Sequence, residues 1–194
     1  MKHTEMFFIF NMFLLSSCGL QSIPQAENAV EAAFSEIDNQ YKRRLDLIPN
    51  LVSVVKGYAT HESETLEKVI AARAKATQVT IDPSHLSEEK MKEYQASQGQ
   101  LGQALGRLMM VSEKYPDLKA NENFRDLQSQ LEGTENRITI ARRRYIETVQ
   151  EFNNLITVFP TSLTNSIFFH KDKKPQFSVA PEAHADQAPK VDFH

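Results

Sequence analysis

The sequence predicts an all-α protein, and three observations carry that prediction. Apolar residues recur at intervals of three and four through every long segment after residue 26, the spacing of one helix face. Eleven positions from Phe124 to Phe159 alternate three and four without a slip. Their average of 3.5 predicts left-handed, coiled-coil-like packing. Composition permits one core: of 194 residues, 41% are hydrophobic and 24% charged, and a folded region of about 150 residues buries roughly 70% of the surface its unfolded chain exposes.

The leader comes first. Met1 to Glu5 is a short polar start containing Lys2, and Met6 to Leu15 is an apolar run broken only by Asn11. It is about half of the ~20 residues that span a bilayer as a helix, so it suits the apolar part of a secretory signal. Leu15-Ser16-Ser17-Cys18 then resembles the bacterial lipobox, in which small residues precede a cysteine that is lipidated before the peptide is cut ahead of it. Cys18, the only cysteine, is therefore the expected lipidation site and mature N-terminus, with residues 1–17 as signal peptide and 18–25 as tether. One acyl chain holds only marginally, at about 0.8 kcal/mol per buried methylene, so several on one cysteine anchor firmly. The alternative is a retained hydrophobic anchor, because Glu5 offsets Lys2 and leaves the cationic flank weak. In either case the remainder leaves the cytoplasm. Gly19 offers no acidic retention signal of the kind some Gram-negative bacteria use, which favours the outer membrane over the cell membrane.

Val30, Phe34, Ile37, Tyr41, Leu45 and Ile48 form the apolar face of the first helix. Pro49 lacks an amide donor and clashes with the carbonyl four residues back, so it must kink or end that helix. Leu51, Val54, Val55, Tyr58, Leu66, Val69 and Ile70 resume the spacing at once, so a kink is expected rather than a reversal. Gly57 costs about 1 kcal/mol against alanine in a helix interior, and is expected where a neighbouring helix approaches closely. Residues 78–86, with Asp82-Pro83-Ser84, read as a connector. Ser87 then caps a helix whose stripe is Tyr94, Leu101, Leu105, Leu108 and Met109. Gly99, Gly102 and Gly106 weaken it, so packing must hold it. Lys114 to Asp117 is a turn, Asn121 caps the last helix, and Phe159-Pro160 stops it. The bundle is bounded at 26–170; the polar, proline-bearing stretch 171–194 is a tail, disordered after Phe177.

Little in the sequence declares chemistry. A near balance of 22 basic and 25 acidic residues gives no broad basic field for nucleic acid. Six glycines provide no phosphate-cradling loop, and one cysteine excludes an internal disulfide or a cysteine metal cluster. His61-Glu62 begins like a zinc-protease motif, but Thr65 stands where the second histidine belongs. Asp46, Glu62, Glu135, Arg137 and Arg142 to Arg144 are candidates for a polar network between helices, whose bland reading is the fixing of register. No serine can be linked to a base, so no catalytic residue is nominated, and no cofactor or metal is expected. Two basic triplets, Lys42-Arg43-Arg44 and Arg142-Arg143-Arg144, are either solvated helix faces or a contact surface for anionic lipid or an acidic partner, at about 1 kcal/mol per side chain.

DLIPNLV, VKGYATHE, YPDLKANENF, ENRITIARRRY and VQEFNNLITVFP occur in this order, and together resemble the LemA family of bacterial envelope proteins over about Ala26 to Phe177. The resemblance implies an antiparallel bundle of long helices held outside the cytoplasm by an N-terminal anchor, with no established enzymatic activity. One branch of the family is associated with magnetosome membrane formation. The sequence departs from the family pattern in three places. Ile146 follows Tyr145 where asparagine is usual, Phe168-Phe169-His170 replaces a glycine-containing end, and the lipobox replaces a longer spanning helix.

Two functions follow. In the first, the chain is a non-enzymatic, lipid-anchored envelope bundle that acts through contacts with a protein or membrane partner. In the second, it is a ligand-binding or hydrolytic domain with a cleft around His61 and Glu62. Pro49, Gly57 and Pro160 are read as structural in both.

Overall fold

The computed structural model describes the backbone of residues 2–177 and the side chains of residues 20–177. The side chain of the expected lipidation site, Cys18, and the expected disordered stretch after Phe177 lie outside those limits. Among the described residues there is no strand. Four long helices make the bundle: α1 (Lys2–Tyr58), α2 (Ser63–Gln78), α3 (Glu88–Ser112) and α5 (Glu122–Thr157). The short α4 (Pro116–Ala120) bridges α3 and α5, and α6 (Thr161–Thr164) continues into a π-helical turn, Asn165–Phe169. No described helix is long and apolar enough to cross a membrane.

Side-chain pairs fix the topology. Arg44 meets Glu135 and Arg144 meets Glu36, so α5 runs antiparallel to α1 along most of its length. Tyr94 meets Asp38 and Gln98 meets Arg44, so α3 runs parallel to α1. Arg73 reaches back to Leu45, so α2 folds down against the upper half of α1. The caps are those the sequence announces. Ser87 Oγ accepts from the Lys90 amide at 3.3 Å, and Asn121 Oδ1 from the Phe124 amide at 3.0 Å.

α1 passes through Pro49 unbroken, as expected of a kink rather than a stop. The physical reason lies on α2. Proline leaves the Leu45 carbonyl without its helical donor, and Arg73 Nε donates to that oxygen at 3.0 Å. The reversal comes later, at 59–62, where Ala59 is buried and Thr60 and His61 form an exposed turn.

Gly57 is therefore not at a helix contact. It is exposed in the last turn of α1, and a Cβ built there would meet nothing within 4 Å. The close-approach reading is overturned; the glycine precedes a helix end, where an irregular backbone is about to begin.

Two more boundaries move. Residues 18–25, expected as a tether, belong to α1, and Ile23 is fully buried, so the bundle begins before residue 26. Cys18 is accordingly within the span of the first helix and not ahead of it. At the other end, residues 171–177 are a strap laid along α1 and α5, not the start of a free tail.

The α5 stripe also shifts. Phe124, Leu131, Ile138, Tyr145 and Phe152, at strict intervals of seven, are all buried. The companion edge moves from Thr134 and Ala141 to Val149 and Ile156, not to Thr148 and Leu155. An α-helix of 3.6 residues per turn drifts about 20° per heptad against a 3.5 repeat, which brings the next residue inward after three or four heptads. Phe159, the last expected stripe position, is left 79% exposed.

Candidate functional site

The two basic triplets lie on neighbouring helices, α1 and α5, but neither is a uniform patch. Successive residues on a helix are rotated by about 100°, so three in a row cannot share a face. Lys42 is exposed and paired with Asp38 at 2.7 Å, and Arg43 is exposed. Arg44, three residues after Tyr41 and four before Ile48, falls on the apolar stripe and turns inward. It is only 4% exposed, so it is withdrawn from any contact surface.

Arg44 is the hub of a polar junction between α1, α3 and α5. Nη1 donates to Glu135 Oε2 at 3.0 Å, and Nη2 donates to the side-chain and main-chain oxygens of Gln98 at 2.7 and 3.2 Å. The guanidinium lies 4.9 Å from the centre of the Tyr41 ring. Glu135 keeps one side in water, at 59% exposure, so the pair is anchored at the cation and open at the carboxylate. Ser97 and Thr134, also buried, turn their hydroxyls onto carbonyls of their own helices. Arg44 floors an open groove of ≈290 Å³ between α3 and α5, lined by Gly102, Leu105, Gly106 and Met109 on one side and by Leu131 and Glu135 on the other. These bonds cross from α1 to α3 and α5, so the junction orients helices.

The second triplet divides in the same way. Arg142 is half-buried with its guanidinium 5.0 Å from the Phe177 ring centre, Arg143 is exposed, and Arg144 Nη1 pairs with Glu36 at 3.1 Å. Asp46 and Arg137 are exposed on the surface. The network expected to include them is not assembled: Arg44–Glu135 and Arg144–Glu36 are separate pairs, and Glu62 stands at the far end.

His61 is exposed in the turn after α1, and Glu62 opens α2. The Glu62 carboxylate accepts a 3.3 Å hydrogen bond from the Tyr115 hydroxyl, which ties the α1–α2 turn to the one before α4. Asn121 Nδ2 donates to the Tyr58 hydroxyl at 2.9 Å beside it. These contacts close the top of the bundle. Among the described residues, no three His, Cys, Asp or Glu side chains gather as a metal site.

An Asp-Ser-His cluster occurs in the connector, at Asp82, Ser84 and His85, on a 3₁₀ turn (Pro83–His85). Ser84 Oγ is 2.8 Å and Asp82 Oδ2 3.1 Å from the same ring nitrogen, His85 Nδ1. A relay needs the two ring nitrogens to serve different partners, so this is a capped turn. Hydrogen bonds from the Ser84 hydroxyl and amide, and then from His85, hold the Asp82 carboxyl down to about 2.

The strap is what sequence reasoning missed. Asn153 Oδ1 accepts from the Lys174 amide at 2.9 Å and its Nδ2 donates to the Lys174 carbonyl at 3.1 Å. Asn165 makes the same pair of bonds with Lys171, at 2.9 and 3.0 Å. Tyr145 donates to the Pro175 carbonyl at 2.8 Å, and its ring meets Phe177 edge-on at 5.2 Å. Lys171 and Lys174 close on Glu27 at 2.7 and 2.9 Å. Burial alone would raise the Glu27 carboxyl; the hydrogen bonds and charges of the two lysines outweigh it and lower it below its ordinary value. The available signal was Phe177, an isolated aromatic in an otherwise polar stretch.

Comparison with known proteins places the sequence in a family. The profile of the LemA family matches residues 33–193. Protein LemA of Metamycoplasma hominis is 26% identical over 164 residues, which cover 80% of this chain and 71% of that protein. An all-helical bundle whose sequence matches that profile across most of its length belongs to the LemA family.

Proposed function

We propose that the chain is a lipid-anchored helical bundle of the bacterial cell envelope, which works by presenting its surface to a protein or membrane partner and catalyses no reaction. The supporting observation is the continuity of α1, which runs from the cysteine-bearing leader into the bundle without an irregular segment. An anchor at Cys18 is thus coupled to the orientation of the whole domain, a useful property in a scaffold. The LemA family is not known to contain enzymes, and the polar groups singled out for chemistry in the sequence are spent here on helix register or left in solvent.

The test is metabolic labelling in cells. Labelled fatty acid should enter the wild-type protein and not Cys18→Ser, and the serine variant should migrate as the heavier precursor, because lipidation precedes cleavage in that pathway. Retention of residues 1–17 in the wild type would replace the lipid by a hydrophobic anchor. Unchanged partner capture by the His61→Ala/Glu62→Ala variant, measured by cross-linking in cells, separates a contact role from a hydrolytic one.

A further inference from the structure

Six of the ten exposed large apolar side chains among the described residues gather at one end. Val158, Phe159, Leu163, Ile167 and Phe168 come from the last turn of α5, from α6 and from the π turn, and Leu20 comes from α1; Phe159 is 79% and Phe168 60% exposed. From 158 to 168 the sequence contains no charged residue. Scattered exposed apolar residues are ordinary on a protein surface, but a cluster of this kind marks an interaction site.

Register says which end this is. The α1–α5 pairs Arg44–Glu135 and Glu36–Arg144 have residue numbers that add to 179 and 180, so Phe159 stands level with residues 20–21. Leu20 is two residues past Cys18 and five past the apolar run that ends at Leu15. At 1.5 Å per residue, either form of anchor leaves the bundle within about 8 Å of Leu20 along α1. The charged strap clamp, Glu27 with Lys171 and Lys174, lies seven residues further up.

We infer that this apolar tip is a second membrane contact: Phe159, Leu163, Ile167 and Phe168 enter the interfacial region of the bilayer that holds the N-terminus. The inference rests on the proposed anchoring and adds to it. An anchor at the N-terminus holds the bundle at one point and leaves its tilt free, so an upright base takes a second contact. The uncharged tip supplies one, and it sets the bundle upright by fixing two points on its base.

The chain has no tryptophan, so one introduced at the tip is a unique probe. Full-length Phe159→Trp and, independently, Phe168→Trp are reconstituted into phosphatidylcholine vesicles with and without brominated acyl chains. Ile140→Trp is the control, at a position 65% exposed and about twenty residues, or roughly 30 Å, higher on the bundle. Blue-shifted emission from both tip probes, quenched by the brominated lipid while the control is not, is the expected result. Vesicle-bound protein whose tip probes are quenched by aqueous iodide and not by lipid overturns the tip contact and leaves the anchor standing. Probes shielded from both quenchers mean that a second copy or another part of the chain covers the tip, which also overturns it. Failure of the wild type to float with vesicles removes the anchor and the tip contact together.

Discussion

Above Arg44 the core of the bundle is almost wholly aliphatic, and below it six buried rings join the aliphatic side chains. Leu45, Ile48, Leu51, Val55, Leu66, Val69, Leu101, Leu105 and Leu108 fill the upper cluster, with Phe124 the one ring among its described buried residues. The lower cluster holds Phe34, Tyr41, Tyr94, Tyr145, Phe152 and Phe177. Helix length explains the difference. α2 has 16 residues against 25 in α3 and 36 in α5, so it accompanies only the upper half of α1. Below its end the bundle has lost a helix, and large rings, the connector and the strap fill the space. Four tilted or edge-on ring contacts, between 5.2 and 5.9 Å, tie that end together. Such pairs contribute about 0.5–1.5 kcal/mol beyond area burial.

The largest effect should therefore come from a ring in the lower half. Phe34→Ala removes a side chain that meets both Tyr94 and Tyr145 and should cost about 3–5 kcal/mol in denaturant unfolding. Leu101→Ala, at an equally buried upper position, should cost toward the low end of about 2–5 kcal/mol, because a leucine-lined gap collapses more easily. A larger loss for Leu101→Ala would break the comparison.

Next is the device that lets α1 carry Pro49. Arg73→Leu strips the Leu45 carbonyl of its donor and should cost about 1–3 kcal/mol. In a Pro49→Ala background the restored helical amide takes that carbonyl, so most of the cost should vanish in the double-mutant cycle. Equal costs in the two backgrounds would mean that Arg73 matters only for its packing.

How much of this could be read from the sequence depends on range. Helix positions, both caps and the five α5 heptad positions from Phe124 to Phe152 follow from spacing within ten or so residues, and they stand. The partner of Pro49 is 28 residues away from the carbonyl it frees, on another helix, and no local pattern announces it. Arg44 was misread through its neighbours: the triplet draws the eye to charge, while its distances from Tyr41 and Ile48 place it inside. Gly57 was misread because the apolar stripe resumes at Leu66, although the seven residues between Tyr58 and Leu66 leave about two helical turns without a stripe position. The strap was hidden by its polarity, since its hold on the bundle comes from two asparagines and a partly buried glutamate that bond its backbone and lysines.

The strap offers the third and fourth tests. Asn153→Ala removes two hydrogen bonds and should cost about 1–2 kcal/mol. Amide exchange should accelerate at 171–177 and stay unchanged in α2, whereas faster exchange in both halves would show them to be one cooperative unit. Acid should loosen the same region first. Because Glu27 is lowered in the folded state from its ordinary 4.5, the unfolded chain binds more protons in that window. Its stabilisation is fully present above pH 4.5 and is lost as the pH falls through the depressed value. Glu27→Gln should flatten that loss, seen as exchange protection of the strap against pH, and a drop of the same size in the variant would assign the acid sensitivity to another group.

The smallest effects are a matched pair of glycine substitutions with opposite chemistry. In the upper half, Gly57 has ordinary helical backbone and open space at its Cβ, so Gly57→Ala should stabilise by about 0.5–1 kcal/mol, chiefly by restricting the unfolded chain. In the lower half, His170 ends the π turn with φ 51° and ψ 39°, the left-handed conformation that costs an L-residue about 1–2 kcal/mol and glycine little. His170→Gly relieves that strain and gives back part of the gain as unfolded-state entropy, leaving about 0.5 kcal/mol of stabilisation. Thermal melts of the two variants and of His170→Ala decide the matter. Alanine keeps the strain and removes only the imidazole, so it should not reproduce the glycine effect. If it does, the imidazole and not the backbone is the unfavourable element, and the strap is entered without strain.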